Sequence, residues 1–265
     1  MLVSEEKVTA GSYQAYAKMV EAASGNNVLN RDALMSNRVR DIAYRIIPHA
    51  VNHRSQTLGW KWEVHVFESD TPNAFCMAGG KIGVNSGMVT ILKATDDELA
   101  QVIAHEIAHA LSEHSREKLS VALAARTAVN VVAAWQGLGQ LSSEALGTLA
   151  ALAIELPNSR IAESEADTIG IRLAAKAGYN PDAAITLWTK MLQLSGESSS
   201  AILSTHPLPS ERIVALKGEA ARLKPEYEQA LSLLTLDRLP KIEYQNGTPQ
   251  NLYRKGRYEL PPVSQ

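Results

Sequence analysis

The motif His105-Glu106-Ile107-Ala108-His109 constrains this chain more than any other feature of its sequence. Residues four apart lie on one face of a helix, so both imidazoles can project toward one metal ion, with Glu106 rotated by about 100° beside it. The flanking residues are apolar, which indicates a buried face where a histidine pair needs polar partners. The alternative is two unrelated histidines on one helix, because so short a pattern also arises by chance.

A capping box places the motif on a helix. Thr95 is the predicted N-cap, and Glu98 follows three residues later, where its side chain can reach back to the N-cap. The pattern predicts one long helix over residues 96–118.

The composition of the 265 residues excludes several classes of protein. A formal net charge of −2 excludes a protein whose affinity for nucleic acid or for an anionic membrane comes from bulk charge. The single cysteine, Cys76, can form neither an internal disulfide nor a thiolate metal cluster. Any metal site must therefore use histidines and carboxylates.

No targeting or membrane-spanning segment is evident in the sequence. The N-terminus lacks an apolar region behind a basic start, so Met1 is either the natural start or the replacement of a removed signal peptide. The Ala-, Val- and Leu-rich region over 119–156 is interrupted by polar residues such as Arg126 and Glu144. We predict a buried or interfacial pair of helices there.

The hydrophobic periodicity predicts an α+β fold that is mostly helical, with two or three short strands. Aromatic and β-branched residues predict a strand from Trp60 to Phe67, and Gly79-Gly80 predicts a turn into a returning strand over 81–84. No linker divides the chain, so we expect a single domain over 1–236 and an extended tail over 237–265. Further helices are predicted over 4–24, 31–54, 159–176, 180–194, 209–222 and 225–236.

Two histidines do not complete a catalytic metal site, which normally has three protein ligands and one open position. After His109, only His114 follows closely, without the short spacing of a third histidine ligand. Glu163 and Asp167, four apart on a later helix, face the same way, so one can bind the metal while the other accepts the free N–H of a ligand histidine. The spacing leaves open which does which, and Glu165 is interpreted as a solvated charge.

A second cationic pair lies in the segment from Ser204 to Ile213. His206 lies in a predicted loop and Arg212 on the next helix, so the two can present donors to an oxyanion. The alternative, which the spacing alone favours, is a loop histidine and an arginine that pairs with Glu211 or with solvent. The other four histidines have no partner pattern and are interpreted as surface or ordinary core residues: His49, His53, His65 and His114.

Four sequence blocks follow one another across roughly Glu63 to Arg212: Asn73-Ala74-Phe75…Gly79-Gly80-Lys81-Ile82…Gly87-Met88, H-E-x-x-H, E-x-x-x-D and T-H-P…R-I. Together they resemble the gluzincin metallopeptidases that include HtpX and the CAAX-prenyl endopeptidase. Met77-Ala78 stand where that family often has a proline, and Met88 replaces a leucine. Because the chain lacks clear membrane spans, it resembles the soluble branch of the family. That branch includes periplasmic, often lipid-anchored quality-control peptidases, and the mitochondrial inner-membrane stress protease is related to it.

The resemblance implies a zincin-like metallopeptidase fold, with a small mixed sheet and an active-site helix that carries the H-E-x-x-H motif. It implies one Zn²⁺ per chain, bound by His105, His109 and Glu163, with Glu106 as the general base. Asp167 would be the carboxylate behind a ligand histidine.

The resemblance also implies roles for the second cationic pair, and it implies that residues 73–77 belong to an edge strand. His206 would either stabilise the oxyanion or cap the zinc in a resting state, and Arg212 would assist it. An extended substrate would lie along the sheet edge. The residues implied to bind it are Asn73, Ala74, Phe75, Cys76 and Met77.

The implied function is a zinc-dependent endopeptidase that cleaves extended or unfolded polypeptides in envelope protein quality control. The implied location is periplasmic or membrane-associated through a removed anchor or signal, while a cytoplasmic location and the oligomeric state stay open. The alternative is a catalytically silent, chaperone-like zinc protein or assembly factor capped by His206. We also hypothesise that part of the segment from Val121 to Ile154 covers the cleft.

Overall fold

Most of the chain is helical, with one small sheet in its first half, which confirms the predicted α+β class. The computed structural model describes residues 1–129, 147–148, 151, 154, 156–195, 204–207, 210–236, 244–245 and 248–249. The helices are Glu5–Gly25 (α1), Ala33–His53 (α2), Gly87–Thr90 (α3), Asp96–Leu111 (α4), His114–Val129 (α5), Arg160–Lys176 (α6), Ala183–Ser195 (α7) and Ser210–Leu236 (α8), with a 3₁₀ turn at Ser55–Gly59. The strands are Glu63–Phe67 (β1), Ala74–Met77 (β2), Lys81–Asn85 (β3), Tyr244–Gln245 (β4) and Thr248–Pro249 (β5).

The first three strands form a mixed sheet in the order β1-β3-β2. β1 runs parallel to β3, and β2 runs antiparallel to β3 with Ala74 opposite Val84. Gly79 and Gly80 make the predicted turn, and both have positive φ angles (82° and 80°), which glycine adopts without steric cost. The strand order places β2 at an edge of this sheet, and β1 begins at Glu63, three residues later than predicted.

Helix α4 is the central element of the core. It is buried from Glu98 to Leu111, and a helix that is buried on all sides needs neighbours on all sides. It packs most extensively against α6, and also against α2, α7 and β2. The predicted capping box is present, because Glu98 N donates to Thr95 Oγ1 and Thr95 N donates to the Glu98 carboxylate. The start of α4 is therefore fixed, and with it the face on which each later residue lies.

The prediction of one helix through Lys118 is wrong, because the chain breaks between α4 and α5. Glu113 has a left-handed backbone (φ 56°), which ends an α-helix. Arg54 donates to the carbonyl of Leu111, the last residue of α4, and to the carboxylate of Glu113. These contacts stabilise the break, and α5 starts in a new direction at His114.

The two helices predicted over 209–222 and 225–236 are one helix, α8, which continues through Pro225. A proline in a helix interior costs about 3 kcal/mol, because it removes one backbone hydrogen bond and crowds the preceding turn. Leu223 before it is buried and Tyr227 after it is packed against the core. This packing on both sides of the proline offsets the cost.

Two predicted features lie largely outside the described residues. Of the Ala-rich region, the structure describes α5 as far as Val129 and a few positions beyond it. Of the tail it describes β4 and β5, which pair antiparallel. The division into a domain over 1–236 and a tail over 237–265 therefore stays a prediction. Within the described part of the chain, no helix combines the length and the hydropathy that crossing a bilayer requires.

Gly170 of α6 lies against the backbone of α4 at His105. A Cβ atom at this position would lie 2.8 Å from both the Cα and the backbone N of His105. Only a glycine permits so close an approach of two helix backbones. The contact therefore sets the distance between His105 and the side chains of α6.

We expect Gly170→Ala to force α4 and α6 apart and to lower the free energy of unfolding by about 1–3 kcal/mol, as overpacking does. Urea unfolding measures this change. Gly218→Ala in α8 is the matched control, since a Cβ there meets nothing within 4 Å. It should raise stability by about 0.5–1 kcal/mol through helix propensity. Equal effects of the two variants would contradict the close packing.

Candidate metal centre and active site

His105 and His109 lie one turn apart on α4 and turn their imidazoles toward each other on the face that packs against α6. Their Nε2 atoms are 3.1 Å apart. Both side chains are buried. The structure thus brings the two histidines of the motif together rather than leaving them as unrelated side chains.

Glu163 reaches this pair from the first turn of α6. Its Oε1 lies 3.2 Å from His109 Nε2, and its Oε2 lies 3.4 Å from His105 Nε2. The helix that carries it is capped by Ser159, whose hydroxyl accepts from the N–H of Ala162. Of the two carboxylates that the spacing left open, Glu163 is the one that faces the Nε2 atoms of both histidines.

His206 adds a fourth side chain from the short segment 204–207. Its Nδ1 lies 2.9 Å from Glu163 Oε1 and 3.3 Å from His105 Nε2. The amide nitrogen of Asn158 lies 3.2 Å from the same ring nitrogen, and the Asn158 backbone N–H donates to the carbonyl of Thr205. Asn158 therefore fixes both the segment and its ring.

Four side chains place one potential ligand atom each around a common centre: His105, His109, Glu163 and His206. These atoms all lie within 4.8 Å of one another, and the measured separations around the centre run from 2.9 to 3.4 Å. Bonds of about 2.0–2.1 Å to a tetrahedral ion put its ligands about 3.3 Å apart. Lone pairs that converge in this way repel each other unless a cation lies between them, so the donor set fits an ion of the size of zinc.

Asp167 lies behind the ligand atoms, one turn after Glu163 on α6. Its Oδ1 is 3.1 Å from His105 Nδ1, on the side of the ring opposite to the centre. Arg212 of α8 holds this carboxylate through two hydrogen bonds, from Nε at 2.7 Å and from Nη2 at 2.8 Å. This arrangement is the one that orients a metal-binding imidazole and keeps its proton on Nδ1.

Arg212 is buried and contacts two carboxylates of α6. In addition to Asp167, its guanidinium contacts the Glu163 carboxylate at 2.7 Å and the carbonyl of Pro207 at 2.7 Å. The pairing with Glu211 or with solvent, which the spacing alone favoured, is therefore wrong. The assistance to His206 that the resemblance implied stays a prediction.

Glu106 and two of the four clustered residues share a small cavity with the edge strand β2. The cavity holds about 30 Å³, and Glu106, His109 and His206 line it together with Asn73, Ala74, Phe75 and Cys76 of the β2 region. The Oε1 atom of Glu106 lies 3.4 Å from His206 Nε2. Burial raises the pKa of Glu106, while the neighbouring His206 and His105 lower it, and the net direction is upward.

Of the five residues expected to bind substrate, all but Met77 line this cavity. Met77 packs with Tyr16 and Phe75 and does not line this cavity. Cys76 is buried, and burial raises the pKa of its thiol well above the ordinary value, which suits a packed side chain rather than a nucleophile.

The carboxylates make this centre favourable for positive charge. Burial lowers the pKa of His105, but the hydrogen bonds to Asp167 and Glu163 outweigh burial and raise it to about 10. Burial raises the pKa of Glu163, whereas hydrogen bonds from His105, His109 and His206 hold it far below the ordinary value. The site therefore stabilises either protons or a metal cation among its ligands.

The sequence did not indicate that His114 contacts both His109 and Glu165. His114 Nδ1 lies 2.8 Å from His109 Nδ1, and His114 Nε2 lies 3.4 Å from Glu165 Oε2. His114 is therefore not a surface residue but a buried one with polar partners. Glu165, whose side chain is 49% exposed, is the solvated charge that the sequence predicted, and it accepts a hydrogen bond from Ser112 in addition. No local sequence signal indicates the contact between the two histidines, because His114 meets His109 only when the helix breaks after α4, and Arg54, which stabilises the break, is distant in sequence.

Comparison with known proteins agrees with this geometry. The model of peptidase family M48 matches residues 34–220, more than half of the chain. The chain belongs to peptidase family M48. The predicted resemblance and the zincin-like, mostly helical fold are thereby confirmed. The family is one of metallopeptidases, which agrees with the His/Glu cluster on α4 and α6.

The chain is similar in sequence to mitochondrial and bacterial proteases. The chain is 42% identical to the mitochondrial metalloendopeptidase OMA1 of Schizosaccharomyces pombe over 156 residues, which is 58% of this chain and 45% of that protein. It is 28% identical to the metalloprotease YcaL of Escherichia coli over 202 residues, 76% of each chain. It is 27% identical to the β-barrel assembly-enhancing protease of the same organism over 221 residues, 80% of this chain and 44% of that protein. The chain spans slightly less than half the length of two of these three relatives, OMA1 and the β-barrel assembly-enhancing protease.

The geometry predicts that the carboxylate of Glu163 binds the metal and that the carboxylate of Glu106 does not. We expect Glu163→Gln to weaken zinc binding by more than about 100-fold, beyond the 10–100-fold that loss of an outer contact causes. Glu106→Gln should leave the zinc affinity within a few-fold of the parent chain, because Glu106 is not among the converging atoms. Competition with a chromophoric chelator measures both constants, and equal affinities for the two variants would contradict the assignment.

Proposed function

We propose that this chain is a zinc-dependent endopeptidase that cleaves extended or unfolded polypeptides. The observation that carries the proposal is the position of Glu106, which lies in one cavity with the edge strand β2 and with His109 and His206 of the metal-binding cluster. A peptidase needs these three parts together: a metal site, a general base and a surface that holds the peptide. Membership of family M48 supports the same reaction.

The residues of the chain divide the chemistry among them. His105, His109 and Glu163 would hold the zinc, and a zinc ion bound there polarises the scissile carbonyl and lowers the pKa of a water molecule. Glu106 accepts the proton of the attacking water on its carboxylate and then donates it to the leaving amine. Its raised pKa suits both transfers, because a buried carboxylate holds a proton more readily than an exposed one.

The substrate would bind along β2 as an added strand. The carbonyls of Asn73 and Met77 accept from Asn85 N and Gly80 N, on the side of β3. Because neighbouring residues of an antiparallel strand alternate in direction, Ala74 and Cys76 direct their backbone N–H and C=O groups to the other edge. Main-chain pairing of this kind accepts many sequences but requires an extended chain, which favours unfolded polypeptides over folded ones.

The described conformation supports a closed resting state. His206 Nδ1 lies among the ligand atoms, where the reaction needs an open position. Ile154 and Asn158 line the same cavity, whose volume of about 30 Å³ holds water but no peptide. We therefore propose that His206 caps the metal at rest and leaves when substrate enters. The position of Ile154 also supports the hypothesis that the segment before it covers the cleft; most of that segment lies outside the described residues.

The second candidate is a catalytically silent zinc protein with a chaperone-like or assembly role. The observation that favours it is the same capped arrangement, since four protein ligands form the closed geometry of structural zinc sites. The two candidates differ in whether His206 leaves the metal.

We place the activity in protein quality control at a membrane or in the bacterial envelope. The support is the names of relatives, which include a mitochondrial metalloendopeptidase and a β-barrel assembly-enhancing protease. Protease accessibility in spheroplasts, followed with an antibody to the chain, tests the location, and a protected cytoplasmic pool would contradict it.

The zinc-loaded chain should degrade unfolded casein, and Glu106→Gln should lower kcat by about 10²–10⁴, the usual contribution of a general acid–base residue. Zinc content, measured in parallel, must be the same in both proteins. A wild-type chain that holds zinc and cleaves no unfolded substrate would favour the silent zinc protein.

We expect His206→Ala to raise the rate of casein cleavage, because removal of the cap increases the fraction of molecules with an open site. The double variant with Glu106→Gln serves as the control and should be inactive. A fall of about 10²–10³ in kcat would instead assign His206 to stabilisation of the oxyanion.

A further inference from the structure

His114 is the first residue of α5, and the break after α4 brings it back to the metal-binding cluster. In an uninterrupted helix, a residue five positions after His109 would lie about 140° around the axis from it. The left-handed backbone of Glu113 redirects the chain instead. As a result the rings of His109 and His114 lie 4.9 Å apart between centroids, at an angle of 69°. Both rings are buried.

The hydrogen-bonding chain that starts at His109 runs away from the metal-binding cluster. His109 Nδ1 is 2.8 Å from His114 Nδ1, and His114 Nε2 is 3.4 Å from Glu165 Oε2. The other carboxylate oxygen of Glu165 accepts from Ser112 Oγ at 2.7 Å. Ser112 is the C-cap of α4, so the chain connects the end of that helix to α6.

Chemistry assigns the protons along this chain. His109 Nε2 faces Glu163 Oε1 and His105 Nε2, so as a metal ligand it must carry no proton. The ring proton of His109 then lies on Nδ1 and is donated to His114 Nδ1, which accepts with its lone pair. A neutral His114 consequently carries its own proton on Nε2, directed at the Glu165 carboxylate. The tautomer of His109 therefore fixes the tautomer of His114.

We propose that His114 is a positioning residue for His109 and that Glu165 orients His114. The inference rests on the proposed metal site and extends it. The two ligand histidines then differ in the hydrogen-bond partner that orients each ring. His105 donates directly to the buried Asp167, whereas His109 is reached through a second imidazole whose carboxylate partner is about half exposed. Outer partners of this kind typically contribute 10–100-fold to metal affinity.

The test compares zinc affinities of full-length variants at His114 by chelator competition. His114→Phe keeps a ring but removes the acceptor, and we expect it to weaken zinc binding 10–100-fold. His114→Asn places an amide oxygen where Nδ1 stood and should restore affinity to within a few-fold of the parent. His49→Phe, on the half-buried face of α2, is the matched control and should not change the affinity. The cobalt-substituted chain should change its visible absorption in His114→Phe alone.

A second pair of variants keeps the proposal open to refutation if His114→Phe does not fold. Glu165→Gln retains an oxygen that accepts from His114, so it should bind zinc more tightly than Glu165→Ala. The proposal is overturned if a folded His114→Phe, or Glu165→Ala, binds zinc as the parent does with the same cobalt spectrum. It is overturned equally if His114→Asn is as weak as His114→Phe. A parent chain that binds no zinc would refute the proposed function instead.

Discussion

The packing of α4 against α6 is the contact on which the whole site depends, because each helix supplies part of the ligand set. α4 carries His105 and His109, and α6 carries Glu163. Gly170 lets the two helix backbones approach within the reach of these side chains. The caps at Thr95 and Ser159 fix where each helix begins. The four-residue spacing of His105 and His109 then places both imidazoles on one face of α4. β2 and α2 then pack on the remaining faces of α4.

This arrangement buries charge, which is costly unless the charges compensate one another. Glu163 is fully buried, and Asp167 and Glu106 are nearly so. Arg212 contacts two of these carboxylates, and the imidazoles of the cluster contact Glu163. A divalent cation at the centre would balance the remaining negative charge of the carboxylates. Without the cation, bound protons must balance this charge. Burial in the same low-dielectric surroundings raises the pKa of Glu106.

Local patterns in the sequence predicted the features that depend on local interactions. The capping box of α4 and the glycine turn at Gly79-Gly80 follow from neighbouring residues and were found as predicted, whereas the edge strand was implied by the family resemblance. The break after α4 depends on Arg54, which is distant in sequence, so no local pattern could reveal it. The contact of His114 with His109 is a consequence of that break. The continuation of α8 through Pro225 likewise depends on packing rather than on propensity.

The most direct test of the account is diffraction from crystals of the zinc-loaded Glu106→Gln chain with an extended peptide, recorded at the zinc absorption edge. We expect an anomalous peak between His105, His109 and Glu163, and a peptide paired with the edge of β2 that faces away from β3. We also expect His206 to have left the metal in this complex. A peak elsewhere, or a peptide that binds away from β2 while His206 still caps the zinc, would contradict the account.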